Sequence, residues 1–420
     1  MTDFPFGFGS GASSGPDDGS NSPARRDPGA SGLPDDLAGK IPLFAELQKL
    51  MSWQGGPVNW DLARQTAISQ VAGGHVPVSA AEEKAVADAL RLADVWLDAV
   101  TTLPSGISQV HSWSRVEWIE KTLPVWSQLC DPLATRLVGA MTSALPAEAQ
   151  QIAGPMAGLL GQVGGLMFGA QFGQAMASLA AEVVSGTDVG LPLAPPGTAV
   201  LLPQNISAFG AGLGLPEDEV RLFIALREAA HQRLYAHVPW LRRRLLDTVD
   251  AYARGITVDG EAISDAMTRI NPANPESLQE VLGGGLFQPE ETPEQKLALA
   301  RLETLLALIE GWVDHVVAEA ATTRLPGAVA LRETVQRRRA TGGPAEQTFA
   351  TLVGLELRPR RLREAAQLWD LLARSRDSAG RDALWAQVDL LPTSEDLDDP
   401  QAFVDRDDSA GPSMADLDKG

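Results

Sequence analysis

The stretch LREAAHQRLYAHVPWLRRR, residues 226–244, decides how the whole chain is read. It holds His231 and His237, two of five histidines in 420 residues. Were Arg227 a histidine, the run would contain HEAAH. That pattern sets imidazoles at i and i+4 on one helical face, where both reach a zinc ion. The glutamate between them then stands ready to take a proton from metal-bound water. In one branch of this chemistry the third ligand is the first carboxylate of an ExxxD on a later helix. Its aspartate, one turn on, orients a histidine ligand through the second ring nitrogen. Here Glu228 and His231 stand in REAAH and Glu310 and Asp314 in EGWVD, in that order.

Both motifs fall on predicted helices. LPEDEVRLFIALREAAHQRLYAHV has Pro216 at its start, Glu217, Asp218 and Glu219 in its first turn, and Pro239 to stop it. TPEQKLALARLETLLALIEGWVDHVVAEAA opens on Thr292 and Pro293, with Gln295 at the capping-box position. Before the first of these, GTAVLLPQNI (197–206) is the best strand candidate.

Other helices are expected from Asn59 along VNWDLARQTAISQVA, from Ser79 with Glu82 three places on, and at about 114–145 and 150–184. The uncharged segment 151–181 is long enough to span a membrane. Gln151, Gln162, Gln171 and Gln174 interrupt it, however, and its glycines and alanines make it only weakly hydrophobic. The expectation is a buried pair of helices packed through small residues, without a membrane span. Residues 1–36, rich in Gly, Ser, Pro and Asp, are expected to be disordered. An acidic, mostly disordered tail is expected over 394–420, and the body over 37–393 allows two lobes around a cleft near 190–215.

Bulk properties narrow the partners. Hydrophobic residues make up 44% and charged residues 21%, the balance of a globular protein. A net charge of −20 disfavours nucleic acid. The single cysteine, Cys130, permits neither an internal disulfide nor a thiolate zinc cluster. MTDFPFGFGSG lacks the basic start and apolar run of a secretion signal, so a cytoplasmic location is expected. No phosphate loop of the GxxxxGK[ST] type occurs, and the GxSxG match at 11–15 lacks a strand–turn–helix context. The arginines at 337–339 are expected to pair with the chain's own acids.

Several long phrases then carry a resemblance: GPVNWDLARQ, REAAHQRLYAHVPWL, TPEQKLALARLETLLALIEGWVDHV, RRRATGGPAEQTFATLVGLELRPRRLREAAQLW and LLPTSEDLDDP. Over about residues 40–400 the chain resembles actinobacterial hydrolases grouped with the zincin-like metallopeptidases, a group that includes members associated with coenzyme F420 biosynthesis. The resemblance implies a mostly α, gluzincin-type helical scaffold with a minor β component. It also implies roles: Glu228 as general base, His231 and Glu310 as zinc ligands, and Asp314 as the carboxylate behind a ligand.

The first ligand position falls on Arg227, and there the pattern breaks. A guanidinium stays protonated and has no lone pair for a metal. His237, about 600° around an ideal helix from His231, and His315, about 500° on from Glu310, point off the two faces and rescue the site only if a helix is distorted. Two readings follow. One is a zinc-dependent hydrolase with a degenerate REAAH and weak or no peptidase activity. The other is a non-catalytic protein that binds a peptide or protein, in which Arg227, Glu310 and Asp314 form an ion-pair network in the metal's place.

Overall fold

In the computed structural model, residues 56–143, 147–254, 292–342, 350 and 361–409 are described. The expected disorder of 1–36 and a helix start expected at Gly343–Glu346 lie outside them. The described elements, in order, begin with helices α1 (Trp60–Ala72) and α2 (Ala80–Leu97), strand β1 (Gln109–Ser112), and helices α3 (Arg115–Ser143) and α4 (Ala147–Glu182). Strand β2 (Thr198–Leu201) follows, then α5 (Pro203–Gly210), α6 (Glu217–His237) and α7 (Leu241–Arg254). The remainder is α8 (Pro293–Ala321), α9 (Ala328–Thr341), α10 (Leu362–Ala383), α11 (Ser394–Asp398) and α12 (Pro400–Ser409). The protein is mostly helical with one small two-stranded sheet.

Helix α6 is the axis. It begins on three acids, where the positive end of the helix dipole favours them, and it is buried without interruption from Phe223 to Leu234. That stretch includes Arg227, Glu228, His231 and Arg233, so the helix carries charge into the core on several sides. Buried charge is tolerated only where it is paired. Arg233, 1% exposed, accordingly binds Asp94 at 2.6 Å and Asp98 at 2.7 Å on α2 and its C-cap.

Helix α8 packs against α6. Thr292 and Gln295 close the expected capping box at its start. Helix α10 crosses it so closely at Gly311 that a Cβ there would lie 2.7 Å from that of Ala365. Beyond this crossing, Asp382 collects three donors from two distant parts of the chain: the Thr101 hydroxyl at 2.6 Å, the Thr102 amide at 2.8 Å and the Trp312 indole at 2.9 Å. Trp312 is thus a core residue, and Trp240 stacks on Trp385 in the same way.

The two strands run parallel, with His111 opposite Val200, and α3 and α4 form the crossover between them. All four residues of β2 are buried, as a hydrophobic run bounded by Gly197 and Pro203 leads one to expect. Four-residue β1 carries no sequence signal comparable to it.

Two expectations are corrected. Segment 151–181 lies in one continuous helix, α4, not in a pair; its Gly169 and Gly173 let the backbone of α1 approach, since a Cβ at either would lie 2.5 Å from Asn59 O or Thr66 Cβ. No described helix is long and apolar enough to cross a membrane. The polar tail from Ser394 is helical as far as Ser409, because Thr393 and Asp396 cap α11 reciprocally and Leu397 and Val404 are buried. In the 190–215 segment, Leu193, Val200 and Ile206 are buried.

Candidate functional site

Arg227 and His231, one turn apart on α6, face Glu310 of α8. The Arg227 guanidinium donates from Nη2 to Glu310 Oε2 at 2.5 Å. His231 Nε2 lies 3.0 Å from Glu310 Oε1, while Nδ1 lies 2.8 Å from the Arg227 carbonyl of its own helix. A carbonyl and a carboxylate only accept, so both contacts are hydrogen bonds when the ring carries both protons. A third element completes the cluster: Arg339 of α9 donates from Nη2 to Glu310 Oε1 at 2.9 Å.

Glu310 is 1% exposed and touches three cationic or hydrogen-donating side chains from two helices. Burial opposes its ionisation, but Arg339, His231 and Arg227 outweigh burial and hold its carboxyl far below the usual carboxylate range. Asp188, in the loop after α4, extends the network. It accepts from Arg338 at 3.1 Å and from the Val184 amide at 3.0 Å. Burial likewise opposes its charge, and Arg338 and Arg339 lower its pKa nonetheless.

Glu228 points elsewhere. Its Oε2 accepts from the Thr187 amide at 3.1 Å and the Thr187 hydroxyl at 2.6 Å. Its Oε1 accepts from the Val200 amide at 3.2 Å and Gln232 Nε2 at 3.0 Å. Four donors saturate a carboxylate that is 0% exposed. So placed, it ties α6 to β2 and to the loop after α4, and no face of it is left for a water.

Asp314 does not join Arg227. It pairs with Arg332 of α9 at 2.6 Å and with Gln336 at 3.0 Å, so the expected Arg227–Glu310–Asp314 network is corrected to Arg227–Glu310–Arg339. One turn along α8 suffices to carry Asp314 past the α6 contact and under α9. His237 reaches the Ser105 carbonyl at 3.1 Å on the surface. His315 faces away from Glu310, 3.6 Å from Glu319; burial and then Arg381 push its pKa down to about 4. Neither histidine approaches His231 as a further ligand. The cysteine lies apart, buried, its thiol pushed up by desolvation.

The donor set does not fit zinc. A catalytic zinc takes three protein ligands and a water. Here His231 and Glu310 converge alone, and both oxygens of Glu310 are engaged by guanidinium groups. Among the described residues, no three side chains of His, Cys, Asp or Glu are grouped to hold a metal. Two fixed positive charges also repel a dication at this point.

Comparisons with known proteins bear on the fold. The sequence profile described as zincin-like metallopeptidase matches residues 58–404. A solved structure from Chloroflexus aurantiacus, described as a candidate hydrolase with a novel fold, is similar in fold. Its TM-score is 0.60 at 21% identity, covering 84% of this chain and 100% of that one. A comparison with curated proteins finds no match.

Proposed function

Because the chain belongs to the zincin-like metallopeptidase family, we propose that it is a member that keeps the scaffold without the metal chemistry and serves as a binding or scaffold protein for a peptide or protein partner. One observation carries this reading: Arg227, at the first ligand position, holds Glu310 through a 2.5 Å ion pair. Further support comes from Arg339, which engages the other Glu310 oxygen, and from the four donors that saturate Glu228. A carboxylate so engaged cannot accept a proton from water without losing one of those partners.

A second reading, a weak zinc-dependent hydrolase, draws on one feature. His231 anchors Nδ1 on a backbone carbonyl and aims Nε2 at Glu310, as a metal-ligating histidine is held. Metal analysis of protein purified without a histidine tag separates the two. The expected result is no stoichiometric zinc and no peptide hydrolysis above background. Zinc at one per chain, lost in both His231→Ala and Glu310→Ala, would overturn the first reading.

A further inference from the structure

Helices α9 and α10 each pack against α8, and between them lies a cleft of about 810 Å³. That volume falls in the range of sites for small molecules and short peptides. On α10 the residues Arg363, Gln367, Asp370 and Arg374 line it at i, i+4, i+7 and i+11, so one face of that helix is turned to it. We infer that this cleft binds a short peptide with both ends free, its carboxylate on Arg363 and its amino group on Glu319 of α8.

Unused bonding capacity carries the assignment of charge. Most ionic groups of the lining are already paired: Arg332 with Asp314 at 2.6 Å, Arg374 with Asp370 at 2.6 Å and Glu333 with Arg337 at 3.4 Å. Two have capacity left. Arg363 is exposed and makes neither a hydrogen bond nor an ion pair among the described residues. The Glu319 carboxylate makes no hydrogen bond, because Arg381 Nη1 and His315 Nε2 both stand 3.6 Å from its Oε2. Those two nitrogens are buried and make no hydrogen bond of their own. Arg381, 0% exposed, is fixed from behind, through Nε to Asp382 at 2.8 Å and through Nη2 to the Val100 carbonyl at 2.8 Å. Its charge draws the Glu319 carboxylate to one place while both oxygens stay able to accept. A free guanidinium on one wall and a carboxylate with open lone pairs on another call for a ligand that carries both charges.

Shape points to a peptide. Among the described residues no aromatic ring lines the cleft, so a nucleobase or a flat cofactor finds nothing to stack on. Ala318, Ala366 and Ala373 leave room for a main chain, and Gln367 and Thr322 offer hydrogen bonds to its amides. From Arg363 to Arg374 the face runs about 16 Å along the helix axis. An extended chain of about five residues has that reach. The inference rests on the reading of the chain as a peptide-binding relative and deepens it, placing the peptide here and not at Arg227 and Glu310.

Histidine-selective NMR tests it. The five histidines give separate imidazole signals, and His315→Leu identifies the one at the cleft. Alanine peptides with free ends, from dialanine to pentaalanine, should move the His315 signal saturably below about 10 mM and leave that of His231 in place. Acetylating the amino end or amidating the carboxyl end of the tightest peptide should each weaken binding about tenfold, one charge-assisted contact being lost. In Glu319→Gln the acetylated and free forms should bind alike; in Arg363→Gln the amidated and free forms should. Both side chains reach solvent, so neither change touches the core. No saturable movement, a shift at His231 instead of His315, or equal binding of peptides capped at both ends, as an internal segment of a protein partner would bind, would each overturn the inference. Zinc in the purified protein would instead strike the reading proposed above, so the two failures are distinguishable.

Discussion

Arg227 Nη2 and Glu310 Oε2 stand 2.5 Å apart, a guanidinium of α6 against a carboxylate of α8, at 7% and 1% exposure. An arginine that replaced a ligand by accident would leave the carboxylate opposite it without a counter-charge. Here the arginine supplies one, and the pair couples two helices that are each buried over long stretches.

Arg227→Ala should therefore destabilise strongly, by about 3–5 kcal/mol, because Glu310 would keep its desolvation and lose a partner. Urea unfolding measures this. A loss below about 1 kcal/mol would mean that Arg339 and His231 suffice and that the pair is idle.

Placing an imidazole at position 227 should not by itself create metal binding. In Arg227→His the guanidinium of Arg339 still engages Glu310 Oε1. The double substitution Arg227→His with Arg339→Ala frees both oxygens and should gain stoichiometric zinc by metal analysis, whereas each single change should not. Zinc bound equally well by Arg227→His alone would refute the role given to Arg339.

Glu228→Gln tests whether this side chain is a clamp or a base. An amide offers one acceptor oxygen, so its NH₂ group would confront either the Thr187 donors or the Val200 and Gln232 donors. Stability should fall by about 1–3 kcal/mol. Unchanged stability together with loss of a measurable hydrolysis would be the signature of a catalytic base instead.

Acid should act in two windows. His315 is lowered to about 4, so the unfolded chain takes up its proton first. Stability is complete above the free imidazole value of about 6.5 and declines as pH falls toward 4, by roughly 2–4 kcal/mol. Glu310 is also lowered; its contribution is present above the free carboxylate value of about 4.3 and is lost on further acidification. His315→Leu should flatten the upper window in urea titrations across pH and leave the lower one. A variant with the wild-type slope between pH 6.5 and 4 would contradict the assignment.

Gly311→Ala probes the crossing behind the site. The added methyl would lie 2.7 Å from Ala365 Cβ and 2.8 Å from Ala366 N, which is backbone and cannot turn aside. A cost of about 1–3 kcal/mol is expected in the same unfolding assay, despite alanine's better helix propensity.

Much of α6 and α8 is legible in the sequence because their caps, acids and prolines are local signals. The Arg227–Glu310 contact is legible too, since a guanidinium opposite a carboxylate has few alternatives. Arg339 is not: nothing local tells which acid each arginine of 337–339 meets, and the helix carrying it packs in only through tertiary contacts. The role of Glu228 was equally hidden, because its partners include the backbone amides of Thr187 and Val200, which no residue type advertises. Asp314 shows the reverse error. A spacing that suits one family geometry points to a contact with Arg227, whereas the roll of α8 sends that side chain to Arg332.

The bond between Thr101 and Asp382 closes a separation of 281 residues. During synthesis at about 5–20 residues per second, Thr101 must wait on the order of 15–60 s for its acceptor to emerge from the ribosome. Throughout that interval Thr101 and Thr102 are without their carboxylate partner, although α1 and α2 already have α4 and α6 to pack against. Termination just short of position 382 would thus release a nascent polypeptide that a quality-control protease could take before it ever closed.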